Sequence, residues 1–398
     1  MVKEADLLQR NGHQVTVLYC FYIDWAQNED EELLKQVEWN YLQIGGSPKN
    51  HPFQYFITRL KYRIFKWLYK FLGNSFLLAE RSQIRGYDEL LKAARKIKAD
   101  WYIGHGIGTM AVCVNAAGSN QAKAGFDYED YHRGEVDRKV KEEIDRVRFL
   151  EEKYIPNLHY LTSASPMIRD AVKKDFPRLR IPICSIFNVF PKPALPNFNP
   201  SNSSGKLKLF WFSQTIGKGR GLEPLFEALI KLNDERISLS LVGRLDSSFQ
   251  QEVEETRKQT RSPIEICGIV APSQLLQFSS NFDVGMALEI GFPENRELAL
   301  TNKIFTYLQA GNAIILFNTK MQKQFNEEFY CGLGVKVNDV EGLCAAILFY
   351  INKENLFAQK QQNLMLAENV FNWEMESEKL LTYLNQQNLE KQVEEAVE

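Results

Sequence analysis

An apolar run, Leu209-Phe210-Trp211-Phe212, stops at Ser213-Gln214-Thr215, passes through Gly217-Lys218-Gly219-Arg220-Gly221 and enters a helical pattern at Leu222, Leu225, Phe226 and Leu229. A strand that runs through a basic, glycine-rich turn into an amphipathic helix confines this part of the chain to α/β architecture. A second piece, 300–315, has related logic: Thr301 can cap a short helix, Gly311 stops it, and an apolar strand follows from Ala313. Both pieces place backbone N–H groups and a basic side chain at a helix N-terminus, which is what holding a phosphate or diphosphate requires.

The same alternation covers the rest of the chain. Strand-like runs are expected at 14–21, 101–103, 123–126, 159–162 and 183–187, then at 207–212, 238–242, 264–266, 283–287, 313–317 and 334–337. Helical patterns fall between most of them, among them 87–97, 222–232, 272–278 and 340–351. Such alternation predicts parallel sheets covered on both faces. At 398 residues there is room for two domains. The stretch 190–205, with Pro191, Pro193, Pro196 and Pro200, reads as the linker. The expected division is an acceptor-side Rossmann-like domain at 1–190, a linker at 191–206, a second Rossmann-like domain at 207–371, a crossover helix at 372–384 and a tail at 385–398. Val2–Arg10 is already helical where such a domain should open on a strand. The expectation is that a first strand is missing and that the chain starts at an internal methionine.

Composition narrows the function. Forty-eight Lys and Arg against 50 Asp and Glu argue against wholesale nucleic-acid binding. The 6 cysteines contain no C-x-x-C pair and the 5 histidines are dispersed, so reduced thiols are expected and no metal site. No apolar run reaches membrane-spanning length and no signal peptide is seen, from which a cytoplasmic location is expected. A Rossmann oxidoreductase is disfavoured, because no Gly-x-Gly-x-x-Gly follows a first strand.

With these residues in hand, the chain resembles the GT-B glycosyltransferases, specifically retaining family 4 (group 1), which use nucleotide sugars. The residues that carry the resemblance are the helix and strand of 3–18, Ala99-Asp-Trp-Tyr-Ile-Gly-His105, Gly125-Phe-Asp-Tyr-Glu-Asp-Tyr-His132, Asn188-Val-Phe-Pro191 and Asn372-Trp-Glu374. The resemblance implies two doubly wound domains facing a cleft, with the last helix crossing back to the first domain. It implies a UDP- or GDP-linked donor, a saccharide or lipid-linked acceptor, and no metal.

Breaking the anomeric bond leaves negative charge on the departing diphosphate, so fixed cations and N–H donors are needed there. Arg220 is the expected side-chain contact, since its fork can hold phosphate bidentately, with Lys218 as runner-up. Taken alone, the same turn could be a surface loop. Thr301, Asn302 and Lys303 open the second cradle; for Thr301 a plain helix cap is the competing reading. The resemblance makes Asn302-Lys303 the family's Asn-Lys, assigns Glu289 to the donor sugar, and puts Thr306 where the family usually has a ribose-binding Glu. Gly243, Arg244, Gly268 and Ile269 are expected at the nucleobase end, Gly268 equally as a turn residue. His105 and Asp127 are the catalytic candidates on the acceptor side, with hydrogen bonding favoured over general-base action for His105. Thr306 and the missing strand also admit an inactive GT-B scaffold.

The segment 53–72 interleaves aromatic residues with Arg59, Lys61, Arg63, Lys66 and Lys70. It suits peripheral contact at the inner face of a membrane, and equally a helix packed against protein.

Overall fold

The computed structural model describes residues 1–23, 27–192 and 205–384. The central part of the expected linker, 193–204, and the tail at 385–398 lie outside the described residues. The chain forms two compact units, Met1–Ser185 and Ile186–Glu398.

In the first unit, helix α1 (Val2–Arg10) leads to strand β1 (Thr16–Cys20), followed by α2 (Gln27–Leu34), β2 (Asn40–Ile44), α3 (Pro52–Leu72), α4 (Leu78–Gln83) and α5 (Tyr87–Lys96). Then come β3 (Trp101–His105), α6 (Ile107–Asn120), β4 (Lys123–Tyr128), α7 (Lys141–Tyr154), β5 (Tyr160–Ser163), α8 (Pro166–Asp175) and β6 (Ile183–Ser185). All pairings are parallel, but they fall in two sheets: β1 with β2, and a run β3-β4-β5-β6. Helix α5 packs on β1, β2 and α6, and α6 packs on β3 and β4, so helices rather than ladder hydrogen bonds join the sheets. Arg85 ties the carboxyl ends of β1 and β2 together. Its Nη1 donates to the Gly45 carbonyl (2.7 Å) and Thr58 Oγ1 (2.7 Å), and its Nη2 to the Phe21 carbonyl (2.8 Å).

The second unit carries β7 (Leu207–Ile216), α9 (Leu222–Leu232), β8 (Ile237–Leu245), α10 (Gln250–Gln259), β9 (Ile264–Ile266), α11 (Pro272–Ser279) and β10 (Val284–Ala287). It continues through α12 (Asn295–Leu298), α13 (Asn302–Gln309), β11 (Ala313–Phe317), α14 (Lys320–Phe329), β12 (Leu333–Val335), α15 (Val340–Ile351), α16 (Lys353–Asn369) and a final helix over 373–384. Its six parallel strands run β12-β11-β10-β7-β8-β9. That is the doubly wound order in which the first strand of the sheet sits at the centre and successive strands are added first to one side, then to the other. Leu209, Trp211, Leu239, Leu241, Ala313, Ile315 and Phe317 are fully buried, as a sheet covered on both faces demands.

The boundary lies ahead of the one expected at 190. Phe187 packs against Phe305, Phe325 and Phe371, and the Phe190 carbonyl accepts from Gln309 Nε2 (2.9 Å) and the Trp373 amide (2.9 Å). Burial of that aromatic cluster makes 186–190 part of the second unit, with the helix of 373–384 docked on it through Glu376, which accepts from the Phe187 amide (3.0 Å). Strand β2 lies in a stretch where no strand is expected from the sequence.

Candidate active site

The connections leaving β7 and β10 build the candidate site. These strands pair only at Leu209↔Val284 and Phe210↔Gly285, after which β7 continues along β8. The strand order changes direction here, and a crevice at the carboxyl ends of such strands is where α/β sheets bind ligands. Tyr307 of α13 fills the fork: its hydroxyl donates to the carbonyls of Phe210 (3.3 Å) and Met286 (3.4 Å). A Cβ on Gly285 would lie 2.1 Å from the Tyr307 ring, so glycine is what lets α13 seat there. The N-terminus of α13 thereby stands beside both loops.

The turn 217–221 closes on the other loop at Gly221, the N-cap of α9 at φ 78. A Cβ there would lie 2.2 Å from the Leu288 carbonyl oxygen. This close approach sets Arg220 beside the segment that bears Glu289. Arg220 Nη1 donates to Ser213 Oγ (3.2 Å) and Arg296 Nη1 to the Gly219 carbonyl (3.3 Å). Lys303 Nζ lies 2.5 Å from Glu289 Oε1 and 5.6 Å from the Trp211 ring centre. Thr301 caps α13 by accepting from the Lys303 amide (3.4 Å), and its hydroxyl lies 3.5 Å from Glu289 Oε1. Burial raises the Glu289 carboxyl, but Lys303, then Arg296 and Arg220, outweigh it and hold the group below the usual carboxylate range. Three cations thus face one carboxylate, an excess of positive charge that suits a polyanion.

The other expected residues fall as follows. Asn302 stands with Thr301 and Lys303 at the start of α13. Lys218 is largely exposed and lies 3.9 Å from Glu252 on α10, not in the cluster around Glu289. The Gly219 amide is taken by Glu223 (2.6 Å), so the turn offers its arginine rather than that N–H. Thr306 is buried and donates to the Asn302 carbonyl within α13 (3.2 Å), which commits its hydrogen to the helix. Gly243 and Gly268 do meet: the Gly243 amide donates to the Gly268 carbonyl (2.8 Å) where β8 and β9 end, with Arg244 and Ile269 exposed beside them. Arg296, Ser213 and Glu223 escaped the sequence reading. Arg296 sits in a short helix without periodicity, and no local pattern marks it.

In the first unit His105 and Asp127 are register partners at the ends of β3 and β4. His105 Nδ1 lies 3.2 Å from Asp127 Oδ2 and Nε2 lies 2.8 Å from Glu4 Oε2. Thr162 donates to the other Asp127 oxygen (2.8 Å). Burial works against the charged ring, but the bonds to Asp127 and Glu4 outweigh it and raise the His105 pKa to about 9. Burial likewise raises the Asp127 carboxyl, and the bond to His105 brings it below its ordinary value. An imidazolium with both nitrogens donating has no lone pair with which to accept a proton.

The architecture matches solved structures along nearly the whole chain. Anabaena HepE in complex with UDP-glucose superposes with a TM-score of 0.69 at 12% identity, over 97% of this chain and 94% of that one. The chain has the GT-B fold. A glycosyltransferase from Rickettsia africae follows, with a TM-score of 0.64 at 14% identity over 96% and 92% of the two chains. A mutant of S. aureus TarM, in complex with fondaparinux, α-GlcNAc-glycerol and UDP, gives 0.58 at 14% identity over 76% of this chain and 59% of that one. No protein-family model and no curated protein sequence matches the chain. At these identities the shared property is the fold.

Proposed function

We propose that the chain transfers a sugar from a nucleotide diphosphate donor, UDP- or GDP-linked, to a saccharide or lipid-linked acceptor. The observation that carries this reading is the cluster of Arg220, Arg296 and Lys303 around Glu289, at the point where the second unit's strand order reverses. Arg220, with Arg296 and the α13 N-terminus at Thr301, Asn302 and Lys303, takes the diphosphate and stabilises the charge that grows on it as the anomeric bond breaks. These cations supply the positive charge that a metal supplies elsewhere, which makes the reaction metal-independent. Glu289 pairs with Lys303, and in this reading its carboxylate accepts from the hydroxyls of the donor sugar. The ends of β8 and β9 at Gly243, Arg244, Gly268 and Ile269 receive the nucleobase, and on the acceptor side the Asp127 carboxylate, oriented by the His105 imidazolium, accepts a hydrogen bond from the acceptor hydroxyl. Retention follows from the family resemblance, with a donor phosphate oxygen rather than His105 receiving the acceptor proton.

The bound states of HepE and TarM support a nucleotide sugar as donor and a saccharide as acceptor. Among the described residues no helix is long and apolar enough to cross a membrane. A cytoplasmic place at the inner membrane face is the location that fits a lipid-linked acceptor. The deciding experiment incubates the purified chain with UDP- and GDP-sugars and follows release of nucleotide diphosphate. Release for one donor, lost in Arg220→Ala, is the expected result. No release with any donor, together with no thermal protection by UDP or GDP, would remove the reading.

A further inference from the structure

Helix α3 has two opposed stripes. Tyr55, Thr58, Tyr62, Phe65 and Tyr69 point inward, where Arg85, Arg81 and Arg146 pack over the rings of Tyr55 (4.8 Å), Phe65 (5.3 Å) and Tyr69 (5.3 Å). On the other side, Phe53, Phe56, Leu60, Ile64, Trp67 and Phe71 recur at three- and four-residue spacing and are 45–76% exposed. At 100° per residue they fall within one narrow band along a helix about 30 Å long. An exposed apolar stripe of this length is far more than scattered surface hydrophobics.

The charge pattern selects what covers it. Helix α3 contains no Asp or Glu and carries Arg59, Arg63, Lys66 and Lys70 along one flank of the stripe and Lys61 on the other. Lys61 is paired with Glu89 (2.7 Å), while none of the other four forms an ion pair among the described residues. In a chain of net charge -2, this is a concentrated basic surface wrapped around an apolar one. A second copy would set the same cations against each other, which disfavours it. We infer that α3 is a docking element for an anionic lipid surface: the aromatic stripe enters the headgroup–acyl boundary, and the flanking cations meet the lipid phosphates. Docking would place the first unit at the membrane whatever its acceptor.

The test is cosedimentation of the full chain with phosphatidylcholine vesicles, with or without phosphatidylglycerol, in the absence of nucleotide sugar, so that its outcome is independent of sugar transfer. Binding is expected on the anionic vesicles and should weaken with salt. Joint Phe56→Ser, Trp67→Ser and Phe71→Ser replacement should lower partitioning by about tenfold or more. Joint Arg59→Gln, Arg63→Gln, Lys66→Gln and Lys70→Gln replacement should reduce binding to anionic vesicles to the neutral level. Circular dichroism and the unfolding midpoint should be unchanged, since all seven side chains are exposed. Equal binding to both vesicle types, full binding by the Ser variant, or a wild-type dimer that the Ser variant turns monomeric would each overturn the inference.

Discussion

Lys303 and Glu289 form a largely buried ion pair at 2.5 Å across the start of α13, and the same carboxylate is the counter-charge for Arg220 and Arg296. Removing the charge at constant volume isolates its role. Glu289→Gln leaves three cations without their shared partner and should cost about 1–3 kcal/mol of stability. Nucleotide diphosphate should restore more stability in this variant than it adds to wild type, because phosphate takes over the counter-ion role. Sugar transfer should fall. Thermal unfolding with and without UDP or GDP checks the balance, and a smaller shift in the variant would count against the assignment.

Arg220 is expected to be the main side-chain grip on the diphosphate. Arg220→Ala should weaken nucleotide diphosphate binding by roughly 10- to 100-fold, the range for a charged hydrogen bond. The fold itself should be little affected, since among the described residues the side chain donates one hydrogen bond, to Ser213. Isothermal titration of wild type and variant measures the difference directly.

Gly221 is needed for two reasons: its φ of 78 and the 2.2 Å at which a Cβ would meet the Leu288 carbonyl. Gly221→Ala should therefore destabilise the second unit by about 1–3 kcal/mol and also weaken nucleotide binding, by pushing the arginine turn off the Glu289 loop. Denaturant unfolding gives the first quantity and titration the second. Full stability in the variant would show that the two loops are not tightly seated.

His105 sets a pH dependence of known sign. Its folded pKa, raised from 6.5 to about 9, means that its contribution to stability is complete below the unfolded value and is lost as pH rises through about 9. The stability gap between wild type and His105→Gln should be widest near pH 6 and close by about pH 9.5. A gap that widens with pH would mean that the ring is neutral in the folded protein and free to act as a base.

Local pattern carried much of the architecture. Strand 207–212, helix 222–232 and strand 313–317 read directly from apolar runs and punctuating glycines, because periodicity and caps act over a few residues. Thr301 as a cap and Gly221 at the turn were visible for the same reason. Strand β2 was not legible: Asn40-Tyr41-Leu42-Gln43-Ile44 is exposed over most of its length and lacks the alternation that burial imposes on a strand.

The site itself was written only partly in local sequence. Arg220 stands ahead of Lys218 in the sequence only by the chemistry of its fork, and it took folding to turn one toward Ser213 and Glu289 and the other toward Glu252. Arg296 joins Gly219, and Glu4 joins His105, across long stretches of chain with no pattern linking them. Charge pairing and desolvation depend on distance in space, which chain neighbours do not encode. Propensity and periodicity could place the strands and helices, whereas the protonation of His105 and the partner of each cation were settled where those elements met.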